Sequence, residues 1–136
     1  YPQLHIIDTE YGNFDRVSAQ KAMETALVKT SDSHQSVQAV FAHSDEDGLG
    51  ALQAIKTAGL FPNDISIVSI NGIQDVCKAI IAEEYLGTVE SNPKWGFIVK
   101  DLINQKERGY TPFPTVIIPY SVITEANAVS YFPTAY

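Results

Sequence analysis

Short apolar runs alternate along this chain with longer stretches in which apolar residues recur every three or four positions. Period and run length separate strands from helices. The runs over 4–7, 37–42, 65–70, 87–90 and 115–118 predict five strands. Helical spacing covers 14–29, 45–58, 74–84 and 94–108. In the first helix Val17, Ala22, Met23, Ala26 and Leu27 share a stripe; in the second, Leu49, Leu52 and Ile55 do. Gly59 stands where a helix closes on a left-handed residue. Pro62-Asn63-Asp64 reads as a turn before the third strand. Asn92-Pro93 reads as a helix entry, Asn capping and Pro in the first turn. The tail through Pro133 predicts irregular structure. Strands such as IVSI and TVII are continuously apolar and alternate with helices. That pattern indicates an α/β fold, a doubly wound parallel sheet covered on both faces.

Ligands of such sheets sit at the C-terminal ends of the strands. The stretch 39–71 is therefore the most informative in the chain. An apolar run meets the polar cluster 43–47, a helix follows, and a second apolar run stops on Asn71-Gly72. The fourth helix differs from the others: Trp95, Phe97, Ile98, Leu102 and Ile103 give it a large apolar surface.

The length of 136 residues fits one domain with a real core. A net charge of −7 with nine basic residues, which are scattered, argues against a nucleic-acid partner and for a small polar or neutral ligand. Cys77 is the one cysteine, so neither an intrachain disulfide nor a cysteine zinc cluster is available; a buried structural thiol is expected. No apolar run has the length of a membrane span. The chain opens on Tyr1-Pro2 without an initiator Met or leader, which reads as a cut start.

His43-Ser44-Asp45-Glu46-Asp47-Gly48 is first of all a helix start. Ser44 caps, Asp47 completes a Ser-x-x-Asp box, and the acids favour the positive end of the helix dipole. The enzymatic alternative is metal binding, since His43, Asp45 and Asp47 resemble the first metal motif of the DHH phosphoesterases. That family needs an Asp-His-His triplet, whereas His5 and His34 each stand alone here. No phosphate loop, dinucleotide fingerprint or nucleophile elbow occurs. Catalysis, a cofactor and a metal are accordingly not expected. Taken together, Phe14, Ser44, Asn71 and Ser91 stand at or just beyond strand ends. An aromatic face packs on sugar C–H groups, while amide and hydroxyl groups bond sugar hydroxyls. Each also has a plainer role: helix-start packing for Phe14, a cap for Ser44, a turn for Asn71, a loop for Ser91.

Asn13-Phe14-Asp15-Arg16, VFAHSDEDGLGALQAIKTAGL, IVSING, AIIAEEYLGTVESNP and Phe132-Pro133 together resemble the C-terminal half of type I periplasmic sugar-binding proteins. These form the ribose/galactose-binding group of ABC transporter solute-binding proteins. The segment before Asn92-Pro93 is most similar to the galactofuranose-binding branch. The resemblance covers nearly the whole chain in order. It implies an incomplete type I C-terminal lobe over 1–136, lacking its first strand and helix and the whole N-terminal lobe. It implies a monosaccharide, pentose or hexose, held between two lobes by Phe14, Ser44, Asn71 and Ser91, with Arg16 and Asp45 as secondary contacts. Ser44 replaces the family's Asn and Asn71 its Asp; losing that carboxylate removes a charge-assisted acceptor and admits a different sugar, weaker binding or none. The implied partner is an ABC transporter permease, and the implied location is periplasmic or extracellular and lipid-anchored. The helix over 92–112 is expected on the missing lobe. Trp95, Phe97 and Ile98, left uncovered, are then expected to drive self-association. The runner-up is the effector domain of a lactose-repressor-like regulator, against which the ING-x-QD turn and ESNP segment weigh.

Overall fold

A computed structural model describes residues 2–60 and 64–136; Pro62 and Asn63 of the expected turn lie outside them. The order is α1 (Arg16–Asp32), β1 (Ala39–Phe41), α2 (Asp45–Thr57), β2 (Ser66–Asn71), α3 (Gln74–Ile81), β3 (Gly87–Glu90), α4 (Gly96–Glu107), β4 (Val122–Thr124) and α5 (Ala128–Tyr131), then a 3-10 turn at Phe132–Thr134. β1, β2 and β3 pair in parallel in that order, and β4 joins β3 antiparallel.

Crossovers between adjacent parallel strands share one hand, so α2 and α3 fall on the same face. Along β2, Ile67 and Ser69 on that face are buried, while Ser66, Val68 and Ile70 on the other are half-buried. The core is built from Met23, Leu52, Ile55, Ile67, Val76, Ile80 and Ile123. α1 packs chiefly on α2. Gly50 permits this approach, since a Cβ there would lie 2.5 Å from the Arg16 carbonyl oxygen and 2.7 Å from Ala19 Cβ. The α/β class and parallel core stand, but helical cover is found on one face of the sheet among the described residues, not on both.

Several boundaries differ from expectation. Residues 4–7 form no strand, and Leu4 and Ile6 are exposed. Lys29 pairs with Asp8 and Glu10, tying this segment to α1 instead of a sheet edge. The run 115–118 is likewise unpaired and exposed, bracketed by Pro114 and Pro119. Its place is taken by Val122–Thr124, where Glu90 N–H donating to the Ser121 carbonyl (2.8 Å) sets the antiparallel register. The tail is ordered rather than irregular: Asn127 accepts from Thr124 N–H (2.8 Å) and donates to the Val122 carbonyl (2.9 Å), bending the chain into α5. α1 begins at Arg16 because Asn13 and Phe14 are left-handed (φ 57° and 56°), and Asp15 caps it through Ser18 N–H (2.8 Å). α4 begins at Gly96, with Trp95 at its cap position; Asn92 accepts from Lys94 N–H (2.7 Å), making a turn short of the helix. Gly59 has the left-handed φ of 73°, and Cys77 is fully buried, as read from the sequence.

Candidate ligand-binding site

One buried carboxylate organises the strand ends. Asp45, the first residue of α2, has no exposed surface. Its Oδ1 accepts from Thr88 Oγ1 (2.7 Å) on β3 and Ser69 Oγ on β2. Its Oδ2 accepts from Gly72 N–H (2.7 Å) and Ile73 N–H (2.8 Å), just beyond β2. Its own N–H donates to Asn71 Oδ1 (3.1 Å). A buried charged group requires such full pairing. Asp45 therefore pins a turn in which Asn71 has φ 142° and Gly72 φ 83°. The first value lies in a region reserved almost entirely for glycine, so the turn holds strain that its surroundings must offset. Gly72 is needed for space as well, since a Cβ would come within 2.9 Å of Ile123 Cδ1.

The expected site residues distribute unevenly around this hub. Asn71 ends β2 opposite Glu90 of β3. Ser91 follows at once, and its N–H donates to the Asn71 carbonyl (2.8 Å), so these two meet. Ser44 is buried, with its hydroxyl fully engaged: it accepts from Asp47 N–H (3.1 Å) and donates to Asp47 Oδ2 (2.8 Å). Ser44 therefore caps the helix as expected, but Asp47 returns its bond to the Ser44 hydroxyl instead of the backbone N–H that a full box would use. Asp45, expected as a secondary contact, turns both oxygens inward onto protein donors. The Phe14 ring is open, 71% exposed, on its left-handed turn. Arg16 pairs with Glu46 in the first turn of α2 and Asp75 in the first turn of α3 (2.8 Å). That pairing raises the Arg16 pKa and holds Asp75 below its ordinary value. It also fastens the segment carrying Phe14 to the rim where Asn71 stands, and leaves the guanidinium occupied. His43 lies against Phe41, ring centroids 5.1 Å apart, while the Asp45 carboxylate points away into its own donors. The metal alternative thus loses its central ligand.

Sequence reasoning missed the tail's part. The Gln74 N–H that opens α3 has no side-chain cap and donates instead to the Tyr136 carbonyl oxygen (3.0 Å). The Tyr136 hydroxyl donates to the Ser91 carbonyl (3.1 Å), and Lys94 Nζ donates to the Thr134 carbonyl (3.0 Å). Burial, then the Asp45 charge, pushes the Tyr136 hydroxyl pKa up, and contact with the Asn71 amide partly offsets this. Burial likewise raises Tyr131, which neighbours Glu90. Nothing in the tail's periodicity marked these residues. Next to them opens a cleft of about 310 Å3, lined in part by Glu90, Ser91, Asn92, Trp95 and Tyr120.

Polar groups thus gather at the C-terminal ends of the parallel strands, where α/β sheets take their ligands. The family model described as periplasmic binding protein domain matches residues 1–106, and the chain belongs to that family. It is 38% identical over 93 residues to the galactofuranose-binding protein of Escherichia coli (strain K12), covering 68% of this chain and 29% of that protein. It is 34% identical over 92 residues to the ribose import binding protein of Bacillus subtilis (strain 168), covering 68% and 28%. Among solved structures, the periplasmic binding protein component of the arabinose ABC transporter from Shewanella sp. ANA-3, bound to alpha and beta-L-arabinofuranose, superposes with a TM-score of 0.88 at 34% identity. That match covers 98% of this chain and 44% of that one. A galactofuranose binding protein superposes with a TM-score of 0.87 at 29% identity, covering 98% and 45%. The chain thus spans less than half the length of these relatives. The fold is that of a type I periplasmic-binding-protein lobe.

Proposed function

We propose that this chain is the C-terminal lobe of a two-lobed solute-binding protein that holds a neutral pentose or hexose for ABC-transporter uptake. The observation that carries the reading is the Asp45-pinned Asn71 turn beside Ser91, on a lobe that superposes on an arabinofuranose-bound protein. Asn71 and Ser91 contact the sugar directly, and Phe14 packs on its C–H face. Ser44 and Asp45 act through the helix start and turn they hold, and Arg16 through the rim it fastens. The protein is a binder and not an enzyme. The helix within 92–112 packs on the other lobe: α4 buries none of its own residues here, and Phe97 is 74% exposed. On this chain alone the same face, through Trp95, Phe97 and Ile98, associates with a second copy. A permease is the partner of the whole protein, which resides in the periplasm or on a lipid anchor outside the cell. A melting screen of the full-length protein against D-ribose, L-arabinose and D-galactose tests the reading, because a ligand that binds only the native state raises the melting temperature. No shift with any neutral sugar at millimolar concentration would sink it.

A further inference from the structure

We infer that Glu90 is a specificity-determining residue of the ligand site, a charged acceptor at the end of β3 that bonds hydroxyl groups of a neutral sugar in the cleft beside it. The inference rests on the sugar-binding reading and deepens it, because it adds a residue outside the expected set and names what that residue selects.

The strand ladder places it. Ser69 and Thr88 are direct partners on β2 and β3, and Asp45 takes both hydroxyls. One rung further out, Asn71 stands opposite Glu90. Side chains alternate along a strand, so Glu90 leaves β3 on the face that Thr88 uses, beyond the closed Asp45 hub. It is half-buried and lines the cleft of about 310 Å3 together with Ser91, Asn92, Trp95 and Tyr120. Its Oε1 accepts from Asn92 Nδ2 (3.2 Å), which holds the carboxylate beside that cleft.

Glu90 has acceptor capacity to spare. A carboxylate accepts about four hydrogen bonds. Asn92 fills one, and the neighbouring Tyr131 hydroxyl, buried and without a hydrogen-bond partner, has room to claim one more. No cation pairs with Glu90 among the described residues, where every ion pair uses another acid. The cleft falls within the size of small-molecule sites, about 300–1,000 Å3. A carboxylate without a counter-charge, set beside the Trp95 and Tyr120 rings, fits a neutral polyol. The rings pack on C–H groups, and the carboxylate takes charge-assisted bonds from O–H groups. The same charge repels an anionic sugar.

Glu90→Gln in the full-length protein keeps the size of the side chain and an oxygen for Asn92, and removes the charge. Calorimetric titration with whichever of D-ribose, L-arabinose and D-galactose binds the wild type is expected to show Kd raised about tenfold, with the ligand-free melting temperature unchanged. Asn92→Ala separates contact from support, since it deletes the protein donor on Glu90 and leaves the carboxylate. Its Kd is expected to stay within about threefold of wild type. D-galacturonate, which carries a carboxylate of its own, is expected to leave the wild-type melting temperature unshifted. A Glu90→Gln protein with Kd within about twofold of wild type overturns the inference. So does an Asn92→Ala loss equal to that of Glu90→Gln, which would place the effect in the turn, and so does stabilisation of the wild type by D-galacturonate. Wild-type protein that binds none of the neutral sugars instead overturns the sugar reading, and the role of Glu90 with it.

Discussion

Replacing Asp45 separates a scaffold role from a ligand-contact role. Asp45→Ala removes two oxygens that take four hydrogen bonds. The Ser69 and Thr88 hydroxyls can rotate toward one another across the β2–β3 register, where they are direct partners. The Gly72 and Ile73 N–H groups cannot. At about 1–3 kcal/mol for each buried donor left unpaired, and with the Asn71 strain no longer held, the loss is about 4 kcal/mol. Asp45→Asn is the informative companion. Its carbonyl oxygen can keep both backbone donors, while its NH2 faces two hydroxyls able to accept. What it loses is charge assistance, about 1–2 kcal/mol. The expected order is therefore wild type, then Asn, then Ala, with a gap of about 2 kcal/mol between the variants. Urea unfolding of the full-length protein, followed by far-ultraviolet circular dichroism, measures it. An alanine variant within 1 kcal/mol of wild type, or an asparagine variant as damaged as the alanine one, would refute the hub.

Gly50→Ala is expected to destabilise by roughly 1–3 kcal/mol through overpacking, since the new methyl meets the Arg16 backbone at 2.5 Å. The gain in helix propensity, about 1 kcal/mol, works the other way, so a more stable variant on urea unfolding would show that α1 is free to shift. Asp75 is held below its ordinary pKa first by its bond to Arg16 and then by Lys78. A depressed folded pKa gives stability that is present above the unfolded value and lost as pH falls through the folded one. Asp75→Asn should therefore lower the melting temperature slightly at neutral pH, where the pairing contributes, and converge on wild type below about pH 4, so that the acid limb flattens; a profile parallel to wild type counts against the Arg16 pairing. For the 136-residue chain alone, Phe97→Ser is expected to shift light-scattering mass from dimer toward monomer, and a wild-type chain already monomeric would dismiss that face as self-associating.

The parallel core and the β1–α2–β2 unit were legible because short-range signals agreed there: continuous apolar strands, a Ser44–Asp47 box and Gly59 all pointed one way. Residues 4–7 and 115–118 read equally well as strands, yet neither pairs. Strand pairing is a tertiary property, and an apolar run says nothing about whether a neighbour exists. For 115–118 the flanking prolines were the available warning. At the candidate site, the places of the residues along the strands were legible and their orientations were not. Asn71 and Ser91 could be placed from strand ends alone, whereas the inward turn of Asp45 and the engagement of the Ser44 hydroxyl depend on which donors the fold brings near. Tyr136 was out of reach for the same reason: it lies 45 residues from the carbonyl it binds.

These orientations bear on how affinity is built. Asn71 is held at a costly backbone angle by bonds to a fully buried group, and Ser91 is fixed to it through backbone. Groups so held lose little further freedom when a ligand arrives, which is how a preorganised site limits the entropic cost of binding. Phe14 is the opposite case: its ring is exposed on the second of two consecutive left-handed residues, and it is its neighbours Asp15 and Arg16 that are bonded. Under the proposed sugar reading, Asn71 and Ser91 are the half of the site that these bonds preorganise, and Phe14 is the half a ligand would order. Discrimination among sugars should then lie mainly in the hydroxyl-reading array at the strand ends. Phe14 should set affinity more evenly across sugars, because ring packing reads the C–H face and not the pattern of hydroxyls.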